Sequence, residues 1–244
     1  MSRTIVITGA GVGLGRALAR RCVAAGDAVV LLGRTASRIE ALAAELGASA
    51  LGVACDVASA DSVRAAFAAI AERHPAIDVL INNAAIYEPF TIAEATDAQV
   101  TDPLMINLAG PIYCARAAIP MMRAGGHIIN VTSESVTLPF PMLGVYAASK
   151  AGLERLSVSL SQELAPSGIR VTVVRAGQMM EEGKTSGWDP AIAMRFGQAC
   201  IAAGIDLRSR PISHVNSVVD AFLAIINMPG DVQMEHVSLI ARRP

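Results

Sequence analysis

The stretch "TIVITGAGVGLG", residues 4–15, decides the fold. Its first five residues form an apolar, β-branched run that reads as a strand. Glycines then stand at positions 9, 13 and 15. Gly9 permits a tight turn, Gly13 lets the backbone approach a pyrophosphate, and Gly15 lets a helix pack closely on the strand. Leu14, Ala17, Leu18, Arg21/Cys22 and Ala25 follow at helical spacing. A helix that starts there offers N–H donors and the positive end of its dipole to a phosphate. The spacing is T-G-x-x-x-G-x-G, not G-x-G-x-x-G. A flexible turn is the plain alternative, but the position between a strand and an amphipathic helix favours a nucleotide site.

Outward from this unit the same alternation repeats. Strands are predicted at 28–32, 50–55, 77–82, 127–132, 169–174 and 235–240. Helices are predicted at about 36–46, 60–73, 97–122 (interrupted by prolines), 145–164 and 214–227. Strands that are apolar throughout are expected when helices cover both faces of a sheet. The pattern predicts an α/β fold: one doubly wound parallel sheet of about seven strands, helices on both faces, as a single domain over 1–244. The least regular stretch, 176–213, follows the C-terminal end of a strand, where ligands of open sheets bind. A substrate lid is therefore predicted at about 178–211.

Composition narrows the partners. The chain has 244 residues, is 53% hydrophobic and carries a formal net charge of −1 with both signs mixed along it. That leaves no phosphate-backbone footprint for nucleic acid and no polybasic membrane segment. No apolar run reads as long enough to cross a bilayer, and the N-terminus lacks signal-peptide features. Cys22, Cys55, Cys114 and Cys200 are far apart, with no metal-ligand spacing, so no metal site is expected. Buried, reduced thiols and a cytoplasmic location follow as expectations, as does a small-molecule partner.

The second strand ends "LLGRT". A carboxylate there would take the ribose hydroxyls of NAD, but the sequence has Gly33-Arg34. A guanidinium can pair bidentately with a 2′-phosphate, so NADP(H) is favoured over NAD(H); the alternative is a solvent-exposed arginine. The third strand ends "CDV" (55–57). Asp56 can accept from an adenine amino group or cap the next helix, although Ser59 and Asp61 stand nearer that cap.

At this point the sequence resembles the short-chain dehydrogenase/reductase family. The likeness rests on six motifs in order: "TGAGVGLG", "CDV", "NNAA" (82–85), "INLAG" (106–110), "NVTS" (130–133) and "YAASK" (146–150). It is strong over about 1–177 and weak beyond. The resemblance implies a Rossmann-like fold and a tetrad of Asn107, Ser133, Tyr146 and Lys150. Tyr146 would be the general acid in reduction and the base in oxidation. Lys150, one helical turn on, would lower the tyrosine pKa together with an oxidised nicotinamide's charge. Lys150 would also hold the nicotinamide ribose. Ser133 would steady the substrate oxygen, and the backbone at Asn107 would hold a water leading from the lysine to solvent. Pro103 and Pro111 flank Asn107, and an irregular helix there would free a carbonyl for that water. The resemblance adds Leu14, Val57, Asn83, Ala84, Tyr146, Lys150 and Gly177 to the cofactor contacts, beside Gly9, Gly13, Gly15, Arg34 and Asp56.

Two departures stand out. Ala85 replaces a usual glycine, which a negative φ would accommodate. After the sixth strand the stretch is "VRAGQMMEEGKT". Ala176 replaces the usual proline, and Glu181 stands where a threonine would contact the carboxamide. Thr185 or backbone groups are the expected substitutes. The substrate pocket is expected from Tyr87, Glu134, Leu138, Phe140, Met142, Leu143, Met179, Met180, Trp188 and Phe196. This mainly apolar set suits a hydrophobic ketone or alcohol, with Glu134 expected to face solvent. The expected function is hydride transfer between a nicotinamide and a carbonyl carbon. A non-catalytic NADP-binding sensor or scaffold, and an isomerase or dehydratase using the same Tyr/Lys pair, stay open beside it. By family analogy a homotetramer or homodimer is expected.

Overall fold

Every strand of the central sheet runs parallel to its neighbours in this computed structural model, which describes residues 2–180 and 187–242. The elements alternate from the start: β1 (Thr4–Thr8), α1 (Gly13–Ala24), β2 (Ala28–Gly33), α2 (Ala36–Leu46), β3 (Ala50–Ala54), α3 (Ala60–Arg73) and β4 (Ile77–Asn82). Then come α4 (Asp97–Leu104), α5 (Gly110–Ala118), β5 (Met122–Ser133), α6 (Gly144–Leu164) and β6 (Arg170–Ala176). The chain continues through β7 (Met179–Met180), α7 (Pro190–Ala202), β8 (Ser213–His214), α8 (Val215–Ile226) and β9 (His236–Leu239).

Seven strands form the sheet, in the order β3-β2-β1-β4-β5-β6-β9. This is the doubly wound α/β fold that the strand pattern predicts. The chain reverses direction across the sheet between β1 and β4, so their C-terminal ends open a crevice. Side chains of each strand alternate between two cores. Ile5, Ile7, Val29 and Leu31 pack with Leu18 of α1, Ile39 of α2 and Phe222 of α8. Val6, Val30, Leu32 and Leu80 pack with Phe67 of α3, Cys114 of α5 and Leu160 of α6. Burial on both faces is why these strands carry no polar alternation.

The predicted long helix at 97–122 is three pieces. Thr96 and Gln99 form a capping box that starts α4. A π-helical segment, Met105–Ala109, then joins α4 to α5. By length and composition alone, Asp97–Met121, with an 18-residue window of mean hydropathy 1.2, passes as a helix able to cross a bilayer, which departs from the sequence-based exclusion. Their place in the layer accounts for that apolarity: Cys114, Ala115 and Ala118 are buried against the sheet.

The stretch predicted as an irregular lid holds regular structure. Asp189 accepts a hydrogen bond from the Ala191 N–H and Pro190 takes the first helical position, so α7 starts there. Asp-Pro is a helix-start signal. It was hidden by the Met, Gly and charged residues around it. β7 and β8 pair as a small parallel ribbon, Met179 with Ser213 and Met180 with His214. Among the described residues, α7 packs through a separate cluster of Leu143, Phe196, Cys200 and Ile205, with Tyr146, Phe140 and Trp188 against it.

Candidate active site

The crevice beside β1 and β4 is one continuous cleft of about 790 Å³. Gly9, Gly13, Leu14 and Arg34 line one end; Ser133, Tyr146, Lys150 and Trp188 line the other. The first end is built for close approach by an anion. Gly9 and Gly13 have φ of +67° and +57°, which side chains disfavour. A Cβ at Gly9 would stand 2.8 Å from Ala84 Cα. Gly15 sits behind them, where a Cβ would stand 2.4 Å from the Gly9 carbonyl oxygen. Asn83 braces the turn, donating from Nδ2 to the Thr8 and Gly9 carbonyls at 3.0 and 3.4 Å. The Thr8 hydroxyl takes the N–H groups of both Asn83 and Ala84, at 3.0 Å each. Val12 precedes α1 without a capping side chain, and the first turn carries no acidic residue. The positive end of the helix dipole therefore faces the cleft unopposed by its own side chains. These features fit a dinucleotide's phosphates.

Arg34 is exposed just after β2 and lines the cleft with Arg38, which stands in the first turn of α2. Sequence reasoning missed Arg38, a second arginine four residues further along the chain. Asp56 stands two residues past β3. Its Oδ1 accepts from the Ala58 N–H at 3.0 Å, closing a local turn, while Cys55 and Val57 line the cleft. Ser59 caps α3.

At the far end β5 delivers Ser133, and α6 delivers Tyr146 and Lys150 on one face. Lys150 is 2% exposed, and its Nζ donates to the Val131 carbonyl at 2.8 Å. Burial pushes its pKa down to about 8. Burial also pushes the Tyr146 phenol up to about 12; a hydrogen bond with Ser133 opposes this, while Tyr87 and Glu134 add to it. The expected lowering of the tyrosine pKa is thus absent from the protein alone. The lysine's amine is committed to a carbonyl, and removal of the phenol from water is the largest influence on it.

Asn107 is wholly buried in the π-helical segment. Its side chain exchanges hydrogen bonds with the Ile86 backbone, at 2.9 Å each, and donates to Ser149 at 3.2 Å. Pro111 has no N–H for the Asn107 carbonyl four residues earlier. The irregularity predicted between the two prolines is present.

Residues 3–186 match the family described as short chain dehydrogenase. The chain belongs to the short-chain dehydrogenase family. An uncharacterized short-chain type dehydrogenase/reductase of Sinorhizobium fredii is 40% identical over 180 residues; the match covers 72% of this chain and 32% of that protein. This short-chain dehydrogenase thus spans about a third of that relative. Serine 3-dehydrogenase of Agrobacterium fabrum is 36% identical over 186 residues, covering 75% of this chain and 74% of that one. The crystal structure of a short-chain dehydrogenase from Streptomyces avermitilis superposes with a TM-score of 0.84 at 27% identity, covering 98% and 88% of the two chains.

The pocket wall of this short-chain dehydrogenase is aromatic. The Tyr146 and Tyr87 ring centroids are 5.3 Å apart, and Trp188 stands edge-on to Tyr87 at 5.3 Å. Phe196 meets Trp188 edge-on at 5.7 Å and Phe140 at 6.5 Å. The Trp188 Nε1 donates to the Tyr87 carbonyl at 3.2 Å, which fixes the start of the α7 region over the cleft. The chain has one Trp, three Tyr and five Phe, so over half of its aromatic side chains gather here. Met179 and Met180 also line the cleft. Met142 does not: it packs in the α7 cluster, has a φ of +61°, and its carbonyl accepts from Phe90. Ala85 is not among the described positive-φ residues, as its methyl requires. Glu134 does not face solvent as expected; it forms an ion pair with Arg210, a residue that no sequence signal marked.

Gly177 lines the cleft, its N–H donating to the Leu239 carbonyl at 2.8 Å. A Cβ there would crowd that carbonyl at 3.0 Å. Glu181 and Thr185, the positions tied to carboxamide binding, lie outside the described residues.

Proposed function

We propose that the protein is an NADP-preferring oxidoreductase that interconverts an apolar ketone or aldehyde with its alcohol. One observation carries this reading: the glycine turn and the Ser133–Tyr146–Lys150 cluster are two ends of one cleft. A nicotinamide bound across it would supply or accept the hydride. Ser133 holds the substrate oxygen by its hydroxyl, and Tyr146 gives that oxygen a proton in reduction and takes it back in oxidation. Lys150 orients the nicotinamide ribose and favours the phenolate once a second positive charge is near. Asn107 fixes the 86–87 backbone beneath Tyr87, and the π-helical carbonyl gives a water a place on the route to solvent. The aromatic wall excludes water and prefers a flat or hydrophobic substituent on the carbonyl.

Serine 3-dehydrogenase is named for a polar substrate, whereas the wall described here is apolar, which favours a different substrate. The test is a panel of aryl and alkyl ketones with NADPH, followed by loss of cofactor absorbance. Turnover restricted to apolar members supports the reading; turnover of hydroxylated acids alone opposes it.

Arg34 and Arg38 support the NADP preference, because two guanidiniums at the β2 end can share a 2′-phosphate. Arg34→Asp is expected to weaken NADPH binding by roughly 10- to 100-fold, the worth of one charge-assisted hydrogen bond, and to leave NADH nearly unchanged. Cofactor fluorescence titration reads this directly. An equal loss for both cofactors would remove the 2′-phosphate role.

We also propose a homotetramer or homodimer. Val100, Leu104, Met105 and Ile112 around α4 and α5, and Val158 on α6, are exposed apolar side chains that a second copy could cover. A reducing cytoplasmic setting suits the four buried, unpaired cysteines.

A further inference from the structure

At the rim of the cleft two charged side chains from distant parts of the chain meet. Glu134 directly follows Ser133 and lines the cleft. Arg210 lies 76 residues later, between α7 and β8, and its Nη2 donates to Glu134 Oε2. The guanidinium carbon stands 5.2 Å over the centroid of the Phe140 ring. The side chains are only 22% and 15% exposed, for Arg210 and Glu134. Among the described residues the Arg210 Nη1 is buried without a hydrogen-bond partner. Glu134 and the ring face are therefore what compensate this guanidinium.

The carboxylate is also badly placed for catalysis if left alone. The groups that bear on Tyr146 come from every side. Lys150 is on its own helix, Tyr87 comes from the end of β4, and Ser133 and Glu134 come from the end of β5. Phe196 and Trp188, which carry no charge, come from the α7 region. Of the charged groups, Glu134 opposes the phenolate. We propose that Arg210 is a positioning residue for the reaction: seated over the Phe140 ring and paired with Glu134, it offsets a negative charge that would otherwise keep Tyr146 protonated. The pair also ties the segment before β8 to the residue beside Ser133. This inference rests on the acid–base role proposed for Tyr146.

The test titrates the phenol itself, so it does not depend on knowing the substrate. Full-length protein carrying ring-¹³C tyrosine is saturated with NADP⁺, and the Tyr146 resonance is identified by its loss in Tyr146→Phe. Arg210→Met is expected to make the Tyr146 ionisation constant about tenfold smaller, the effect of one uncompensated charge at an effective dielectric near 20. Glu134→Gln is expected to make it larger. The double variant should return close to the unsubstituted protein, and Arg210→Lys should stay there. A merely structural latch would move none of these titrations. If Arg210→Met does not fold, Glu134→Gln decides alone. The inference is overturned if Glu134→Gln leaves the ionisation constant unchanged, or if both single variants shift it the same way. Failure of the underlying reading would look different: Tyr146→Phe would keep its turnover.

Discussion

Tyr146→Phe should reduce turnover of any accepted ketone by roughly 10²- to 10⁴-fold, the usual contribution of a positioned general acid. The substitution removes one oxygen and keeps the ring against Tyr87 and the α7 cluster. NADPH affinity and melting temperature should therefore barely move. The size of the effect follows from the site's layout. Among the described residues lining the far end of the cleft, Tyr146 is the phenol held beside Ser133, and no histidine lines that end. A phenol pushed up to about 12 is a competent acid for an alkoxide, whose conjugate alcohol is weaker still. It is a poor base until the cofactor's positive charge arrives. Oxidation should accordingly require higher pH than reduction. Steady-state kinetics in both directions checks this, and equal pH optima would count against it.

Lys150→Met should abolish most turnover and yet stabilise the cofactor-free protein. Burial lowers the Lys150 pKa to about 8, against 10.5 in an unfolded chain. The sign follows from proton counting: between these values the unfolded state binds more protons, so stability from this group rises with pH. Below pH 8 the charged amine stays buried at full cost. Methionine keeps the stem and removes that charge. At pH 7 the gain is expected at about 1–3 kcal/mol after the lost bond to the Val131 carbonyl, or roughly 3–10 °C in Tm. The advantage should shrink as pH rises from 8 to 10.5. Thermal denaturation across that range checks it; a Met variant that melts lower at pH 7 would show that the lysine stabilises the fold.

The sequence made the sheet legible because both cores impose their own periodicity. The β1–α1 turn was legible because a positive φ and a close backbone approach leave only glycine. Tyr146 and Lys150 were legible as a pair because helical spacing puts them on one face. Other features depend on contacts that spacing does not encode. Arg210 meets Glu134 across 76 residues, so neither position signals the other. Asp56 closes its own local turn, a choice made by two competing acceptor geometries. Met142 packs in the α7 cluster and has a positive φ, neither of which its spacing encodes. The ionisation of Tyr146 is governed mainly by its burial, which the sequence does not show. The start of α7 was written in Asp189-Pro190, but it was masked by an apolar pattern too broken to count.

The central claim is that one cleft brings a nicotinamide and a carbonyl together for hydride transfer. The most direct measurement follows a label. NADPH deuterated at C4 on the transferring face is mixed with the protein and an aryl ketone, and the alcohol product is weighed by mass spectrometry. The account predicts one deuterium on the carbinol carbon, and none when Tyr146→Phe replaces the unsubstituted protein over the same interval. Alcohol formed without the label, or no alcohol from any apolar ketone despite tight NADPH binding, would contradict it.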